Sequence, residues 1–124
     1  MNATQTRICS RYHQAVELIG RRWSGAILRE LLAGFSHFTE IKAAIPDLSA
    51  RMLSERLNEF EDEGIVERVV LSEKPVRVEY RLTAKGLALG PAVEALSQWA
   101  EEWLPKAGTA DEERENAESE RARD

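Results

Sequence analysis

The residues best placed to do chemistry lie in Ser49–Gly64, Ser-Ala-Arg-Met-Leu-Ser-Glu-Arg-Leu-Asn-Glu-Phe-Glu-Asp-Glu-Gly. Leu53, Leu57 and Phe60 fall at helical spacing and make one apolar stripe. Arg51, Ser54, Glu55 and Asn58 then fall on the other face. A long cation beside small polar groups can reach base edges and phosphates. The same face also reads as the solvated side of an ordinary amphipathic helix. If the stretch enters a DNA major groove N-terminus first, Arg51 and Ser54 are the base-edge candidates. Ser49, Met52, Glu55 and Arg56 come next, and Asn58 sits a turn further back, near phosphate or free of the duplex. Glu59, Glu61, Asp62 and Glu63 would repel a duplex, so the distal end should point away from it.

Other reactive side chains are scattered. Thr39 can offer its hydroxyl and nearby amides to a phosphate. Lys74 and Arg77 flank a polar turn and can reach a minor groove or its backbone. Arg21 and Arg22 can clamp a phosphate or pair with a local glutamate. Cys9 stands between Arg7 and Arg11, and nearby cations favour its thiolate. It reads equally as a redox sensor or as a small buried apolar residue. His13 and His37 have no partners at metal-ligand spacing, and no Gly-rich phosphate loop or Gly-x-Ser-x-Gly is present. The expectation is therefore no enzyme, no metal and no cofactor.

These residues need elements to hold them. Tyr12, Val16 and Ile19 predict a first helix over Cys9–Ile19, stopped by Gly20. Ser24 predicts the N-cap of a second helix running to Ala33, with Ile27, Leu28, Leu31 and Leu32 inward and Gly34 as terminator. Phe35–Phe38 is a short connection or a minimal strand. Thr39 is expected to cap a third helix, Glu40–Ile45, with Ile41, Ala44 and Ile45 inward and Pro46 ending it. Asp47-Leu48 turns the chain into Ser49, where the cap residue starts the main helix and Gly64 ends it with positive φ. Two helices joined by about three residues have helix-turn-helix spacing. Beyond Gly64, Ile65–Leu71 is rich in β-branched residues, and Val76, Val78, Tyr80 and Leu82 alternate with Arg77, Glu79 and Arg81. Around Ser72–Pro75 this predicts a β-hairpin, the wing of a winged helix. Thr83 caps a last helix, Ala84 to about Leu104, which Pro91 should kink or split. Its apolar face, Leu89, Val93, Leu96, Trp99, Ala100 and Trp103, is too apolar to leave in water; it can pack on its own domain, but a homodimer contact fits it better.

With 124 residues, 43% of them hydrophobic and 31% charged, the chain fits one globular domain. The net charge is −5, but Asp111–Asp124 alone holds seven acids and three arginines, which leaves 15 acids and 14 bases elsewhere. Nucleic-acid contact must then come from local basic patches. No apolar run nears the roughly 20 residues of a membrane span, and no secretory h-region is visible. One cysteine excludes an internal disulfide, so a cytoplasmic, reducing compartment is expected.

The ordered strings Leu18-Ile19-Gly20-Arg21-Arg22-Trp23-Ser24, Ile27-Leu28-Arg29-Glu30-Leu31-Leu32, Phe38-Thr39-Glu40-Ile41, Ser49-Ala50-Arg51-Met52-Leu53 and Leu57-Asn58-Glu59-Phe60-Glu61 carry a resemblance. So do Gly64-Ile65-Val66-Glu67-Arg68, Arg77-Val78-Glu79-Tyr80-Arg81-Leu82-Thr83 and Gly86, together with the early Cys9. Over about Cys9–Trp103 the chain resembles the HxlR-type winged-helix transcriptional regulators of bacteria. The resemblance implies a mainly α fold with a small β-hairpin (α+β), a winged helix-turn-helix with added N- and C-terminal dimerisation helices. It implies a homodimer, joined through the first helix (Tyr12, Val16) and the C-terminal helices, on an inverted-repeat double-stranded DNA operator near its own or a neighbouring promoter; of repression and activation, which the sequence does not separate, a repressor is the expectation. Some family members sense electrophiles or oxidants through the N-terminal cysteine, commonly followed by proline; here Ser10 follows. The family often carries lysine where Arg22 stands. The expected organisation is a flexible 1–8, a folded domain over 9–106, and a charged, disordered tail over 107–124. No motif specifies a small-molecule inducer. A winged-helix protein-interaction module without DNA binding is the alternative that the near-neutral body motivates.

Overall fold

The computed structural model describes residues 3–106, with side chains described from Ser10 onward. The elements run α1 (Ala3–Gly20), α2 (Ser24–Leu32), α3 (Phe38–Ala44), α4 (Ala50–Asp62), β1 (Val66–Leu71), β2 (Arg77–Leu82), α5 (Ala84–Leu87) and α6 (Gly90–Trp103). This is the expected winged helix-turn-helix. Its core is Ile27, Leu28 and Leu31 of α2, Ile41 of α3, Leu53, Leu57 and Phe60 of α4, with Ile45, Leu48, Ile65 and Val66 from the connections and β1. The apolar stripe of α4 is therefore buried on three successive turns, and its polar face is left outside. A Leu, Ile or Phe side chain fully buried this way contributes about 1.5–3 kcal/mol, and α4 and α2 are each anchored by three of them.

Capping chemistry sets where α4 begins and ends. Ser49 Oγ accepts from the Met52 amide at 3.1 Å. At the other end Gly64 has φ +74°, its amide donates to the Glu61 carbonyl, and the Ile65 amide donates to the Phe60 carbonyl. That pair of bonds is a Schellman motif, and only glycine takes the left-handed residue without cost. Helix α2 ends in the same way at Gly34, φ +106°.

The hairpin is antiparallel, with Val66 opposite Leu82 and Leu71 opposite Arg77. The connection before α3 adds a third, minimal strand: His37 bridges Glu79, and the Tyr80 amide donates to the Ser36 carbonyl at 2.8 Å. The wing is thereby tied to the start of the helix-turn-helix.

Several boundaries differ from expectation. Helix α1 starts at Ala3 rather than Cys9, because Ala, Gln and Arg sustain a helix without an apolar pattern. Ser24 is not an N-cap: Trp23 takes that position at φ +74°, and Ser24 is the first helical residue, fully buried, its Oγ without a hydrogen-bond partner. Thr39 is not a cap either. His37 is the N-cap of α3, and its amide donates to Glu40 Oε1 at 3.1 Å, the reciprocal half of a capping box. Ala44 faces solvent, whereas Leu48, read only as a turn residue, is fully buried. The α3–α4 connection thus carries core residues at Ile45 and Leu48. The last helix splits, as Pro91 allowed: α5 is one turn, and Pro91 is the second residue of α6. The boundary between two compact units falls at Gly90/Pro91. In α6 no residue is buried, and Leu96, Trp99 and Trp103 are exposed. No helix among the described residues is long and apolar enough to cross a membrane. The tail over 107–124 lies outside the described residues.

Helix α5 is packed against the end of α4 with no room to spare. Thr83 Oγ1 accepts from the Gly86 amide at 3.2 Å and donates to the Gly64 carbonyl, while Lys85 Nζ donates to the Glu63 carbonyl. A Cβ on Gly86 would overlap the Ile65 carbonyl oxygen and crowd Leu82 Cδ2. We therefore expect Gly86→Ala to lower unfolding free energy by about 1–3 kcal/mol in urea titration. Gly25→Ala, where the added carbon meets Ile19 O at an ordinary 3.7 Å, should be neutral or stabilising by up to about 1 kcal/mol.

Candidate nucleic-acid interface

The exposed side of α4 begins at the capped Ser49. Arg51, Ser54, Glu55 and Asn58 are exposed, and Met52 is half-buried. Arg51 is the most open of the arginines whose ion pairs are resolved, with 90% of its side chain accessible, and its Nε pairs with Glu55 Oε1 at 3.3 Å, one turn on. The pair lies along the helix surface, where such contacts are worth only about 0.3–0.5 kcal/mol, so a stronger anionic partner can displace it. The first two turns of α4 therefore present a movable cation, a hydroxyl and a carboxylate.

Arg56 is placed differently. Only 13% of its side chain is accessible, its Nε donates to the Arg22 carbonyl at 2.9 Å, and its Nη1 pairs with Glu59 Oε1 at 2.9 Å. A base contact from Arg56 would require breaking both. Arg21 Nη1 reaches the same Glu59 oxygen at 2.8 Å, so the local glutamate, rather than a free phosphate clamp, is where Arg21 lies. Arg22 stays exposed with its guanidinium 5.5 Å from the Trp23 ring centroid, a cation–π distance.

Thr39 is exposed in the first turn of α3. Lys74 is exposed in the loop between β1 and β2, and Arg77 is exposed at the first residue of β2. Arg77 Nη1 lies 4.0 Å from Glu73 Oε2, and its Nη2 lies 3.4 Å from His37 Nε2. The fold thus groups Arg51, Met52, Ser54 and Glu55 on one exposed helix face and Lys74 with Arg77 on the wing, while it withdraws Arg56 into the scaffold. Of the interface candidates for a dimer, Tyr12 and Val16 are exposed on α1, Leu96, Trp99 and Trp103 are exposed on α6, and Leu89 and Val93 are half-buried. Cys9 is on α1, and its side chain lies outside the described residues.

Two residues have roles that their sequence context alone does not show. Glu59, an acid that would repel a duplex, is where two arginines converge. His37, without metal-ligand partners in the sequence, caps α3 and meets the wing arginine. The signal for His37 was Glu40 three residues later, the capping-box spacing.

The sequence pattern of the HxlR-like helix-turn-helix family matches residues 18–108. The HTH-type transcriptional regulator YvaP of Bacillus subtilis, itself uncharacterized, is 50% identical over 100 residues, 81% of this chain and 93% of its own. The reduced form of the transcriptional regulator YodB from B. subtilis superposes with a TM-score of 0.70 at 44% identity, covering 77% of this chain and 94% of that one. YodB is also solved in a quinone-bound form. The redox regulator HypR in its reduced form gives a TM-score of 0.70 at 34% identity, covering 74% of this chain and 91% of that one.

The contrast between the two α4 arginines is measurable. Arg56→Ala, which removes charge-assisted bonds from a mostly buried guanidinium, should cost about 1.5–3 kcal/mol of unfolding free energy. Arg51→Ala should change stability by less than about 0.5 kcal/mol. Equal losses in urea unfolding would contradict the structural role drawn for Arg56.

Proposed function

The chain belongs to the HxlR-like helix-turn-helix family and is a transcriptional regulator of that type, and from this we propose a homodimeric repressor that reads an inverted-repeat DNA operator with α4. The observation that carries the reading is the split character of α4. Its buried stripe, the Arg56 bond to the Arg22 carbonyl and the Arg21–Glu59 pair fix the helix from behind, and its exposed first two turns hold Arg51 and Ser54 ahead of the acidic distal turn. Inserted N-terminus first, that face brings a guanidinium with fork geometry to a base edge such as guanine O6 and N7. The Arg51–Glu55 pair opens on contact, because two good bonds to a base outweigh one exposed ion pair. Thr39 at the start of α3 and Lys74 and Arg77 on the wing supply backbone contacts that hold register without reading sequence.

One α4 face is a small contact. Two of them about 34 Å apart, related by a dimer axis, multiply its selectivity. The apolar side chains that α1 and α6 each present to solvent support the pairing of two copies. Occupancy of promoter DNA then excludes polymerase. The quinone-bound YodB structure supports an electrophile response here, with Cys9 as the thiol. Alkylation of a cysteine on α1, the helix that carries Tyr12 and Val16, would shift how the two α4 faces are spaced.

Duplexes selected from a random pool by the intact protein provide the probe. Specific binding should fall steeply with salt, and Arg51→Ala should weaken it by about 1–3 kcal/mol while leaving non-specific binding nearly unchanged. Sedimentation at the same concentrations should give a dimer. Thiol alkylation should release DNA from the wild type and not from Cys9→Ser. No enriched sequence together with a flat salt response would favour the protein-interaction module instead.

A further inference from the structure

We propose that the groove between α1 and the distal end of α4 binds an organic amine, a cation on an apolar body, which takes the place of Arg21 at Glu59. The site stands apart from the DNA-reading face, and only its effect on an operator rests on the proposed function. The groove has a volume of about 530 Å³ and lies within the compact unit that ends at Gly90. That size suits a small organic molecule. Leu18 and Ile19 of α1, Ile65 after α4 and Leu89 after α5 give it an apolar lining; Ile65 is buried and the other three are half-buried. Arg11, Ala15 and Leu18 border it from one face of α1, about a third of a turn around the helix from Tyr12 and Val16. A dimer paired through Tyr12 and Val16 does not use this face.

The polar lining has an unmet demand for positive charge. Four carboxylates border the groove, those of Glu17, Glu59, Asp62 and Glu63. Glu17 has His13 at 2.9 Å, whereas Asp62 and Glu63 have no ion-pair partner among the described residues. Glu59 Oε2 is buried without a hydrogen-bond partner among the described residues. Of the three cations on the rim, two are committed: Arg21 Nη1 to Glu59 Oε1 at 2.8 Å, and Lys85 Nζ to the Glu63 carbonyl. Arg11 alone remains to offset the rest. A buried, charged acceptor without a donor is costly, and a ligand that brings both a donor and a positive charge relieves that cost. An anion would add to the repulsion.

One of the two arginines on Glu59 is free to yield. Arg56 is 13% accessible and also holds the Arg22 carbonyl. Arg21 is 51% accessible, and such an exposed pair is weak. An ammonium has three donors, so it can serve both oxygens of Glu59 while its apolar body covers Leu18 and Ile65. Arg21 and the link between α1 and α2 then lose one of their two ties to α4. Occupation of the groove therefore loosens α4 from behind and lowers operator affinity. The weakness of the pair that is lost limits the change to about fivefold.

The experiment uses three probes that share one ring: naphthylmethylamine, naphthalenemethanol and naphthoate. Each is titrated into the full-length protein and followed by NMR. The amine should shift the methyl signals of Leu18, Ile19 and Ile65 saturably, together with the Arg21 side-chain signal, and the alcohol and the acid should bind about tenfold more weakly or not at all. Glu59→Gln should weaken amine binding about tenfold, and Arg21→Ala, with no arginine to displace, should tighten it by up to about fivefold. Thermal melts check folding, and Arg21→Ala keeps the test open if Glu59→Gln, which also strips Arg56 of its acid, does not fold. Equal binding of the three probes, no shift of these methyl signals up to roughly millimolar amine, or no gain in Arg21→Ala overturns the proposal. Saturating amine should also weaken operator binding by the wild type about two- to fivefold and leave that of Arg21→Ala unchanged. The same response in both proteins, zero included, overturns the link to α4. If the wild type binds no operator, the proposed function fails instead, and movement of the Arg56 side-chain signal on amine binding then decides the link: a shift supports it and no shift overturns it.

Discussion

Two arginines from different parts of the chain converge on one oxygen of Glu59, and the placement of α4 depends on that junction. Arg56 comes from α4 itself and Arg21 from the link between α1 and α2. Arg56 also holds the Arg22 carbonyl, so the link is gripped by side chain and backbone together. The grip has something to oppose. Trp23 sits in the left-handed region, which costs a bulky residue about 1–3 kcal/mol. Arg21 is half exposed and contributes little against that cost, less than about 1 kcal/mol. The mostly buried Arg56, whose Nε donates a charge-assisted bond to the Arg22 carbonyl, is the contact of sufficient size, about 1.5–3 kcal/mol. Glu59 Oε2 is buried without a partner, an expense that makes sense only because the other oxygen is doubly engaged.

The remaining junctions follow the same plan of fixing α4 and α3 from behind. At the end of α4, Gly64, Thr83, Gly86 and Lys85 join the helix to α5 through backbone contacts too close for any side chain at Gly86. At the start of α3, Ser36 and His37 pair with β2, so the wing cannot swing independently of the helix-turn-helix. Neither junction involves Arg51 or Ser54. Rigidity is concentrated on one side of the molecule, and the exposed polar face of α4 is left with weak, exchangeable contacts.

The sequence was most informative where periodicity and caps coincide. Ser49, the stripe Leu53, Leu57 and Phe60, and Gly64 define α4 to the residue, and the strict alternation over Val76–Leu82 defines the second wing strand. It misled where a cap was assigned by residue type alone. Ser24 and Thr39 are good cap residues, but tertiary packing places Trp23 and His37 at those positions. It was silent where partners are remote in sequence. Arg56 and the Arg22 carbonyl are 34 residues apart, and His37 and Arg77 are 40 apart. The division of α4 into an open half led by Arg51 and an acidic distal half is visible in its charge pattern, whereas the burial of Arg56 depends on what lies beneath it.

The exposed Arg51–Glu55 pair bears on how such a protein would travel. A surface whose foremost cation is already matched by an acid one turn away, on a body of nearly balanced charge, exerts little pull on a phosphate chain in general. Residence on random DNA would be brief, and only a duplex able to offer Arg51 a better acceptor than Glu55 would detain it. The acid would then act as a built-in competitor, trading speed of capture for fewer false stops, so that discrimination comes from dissociation at wrong sites more than from attraction to the right one.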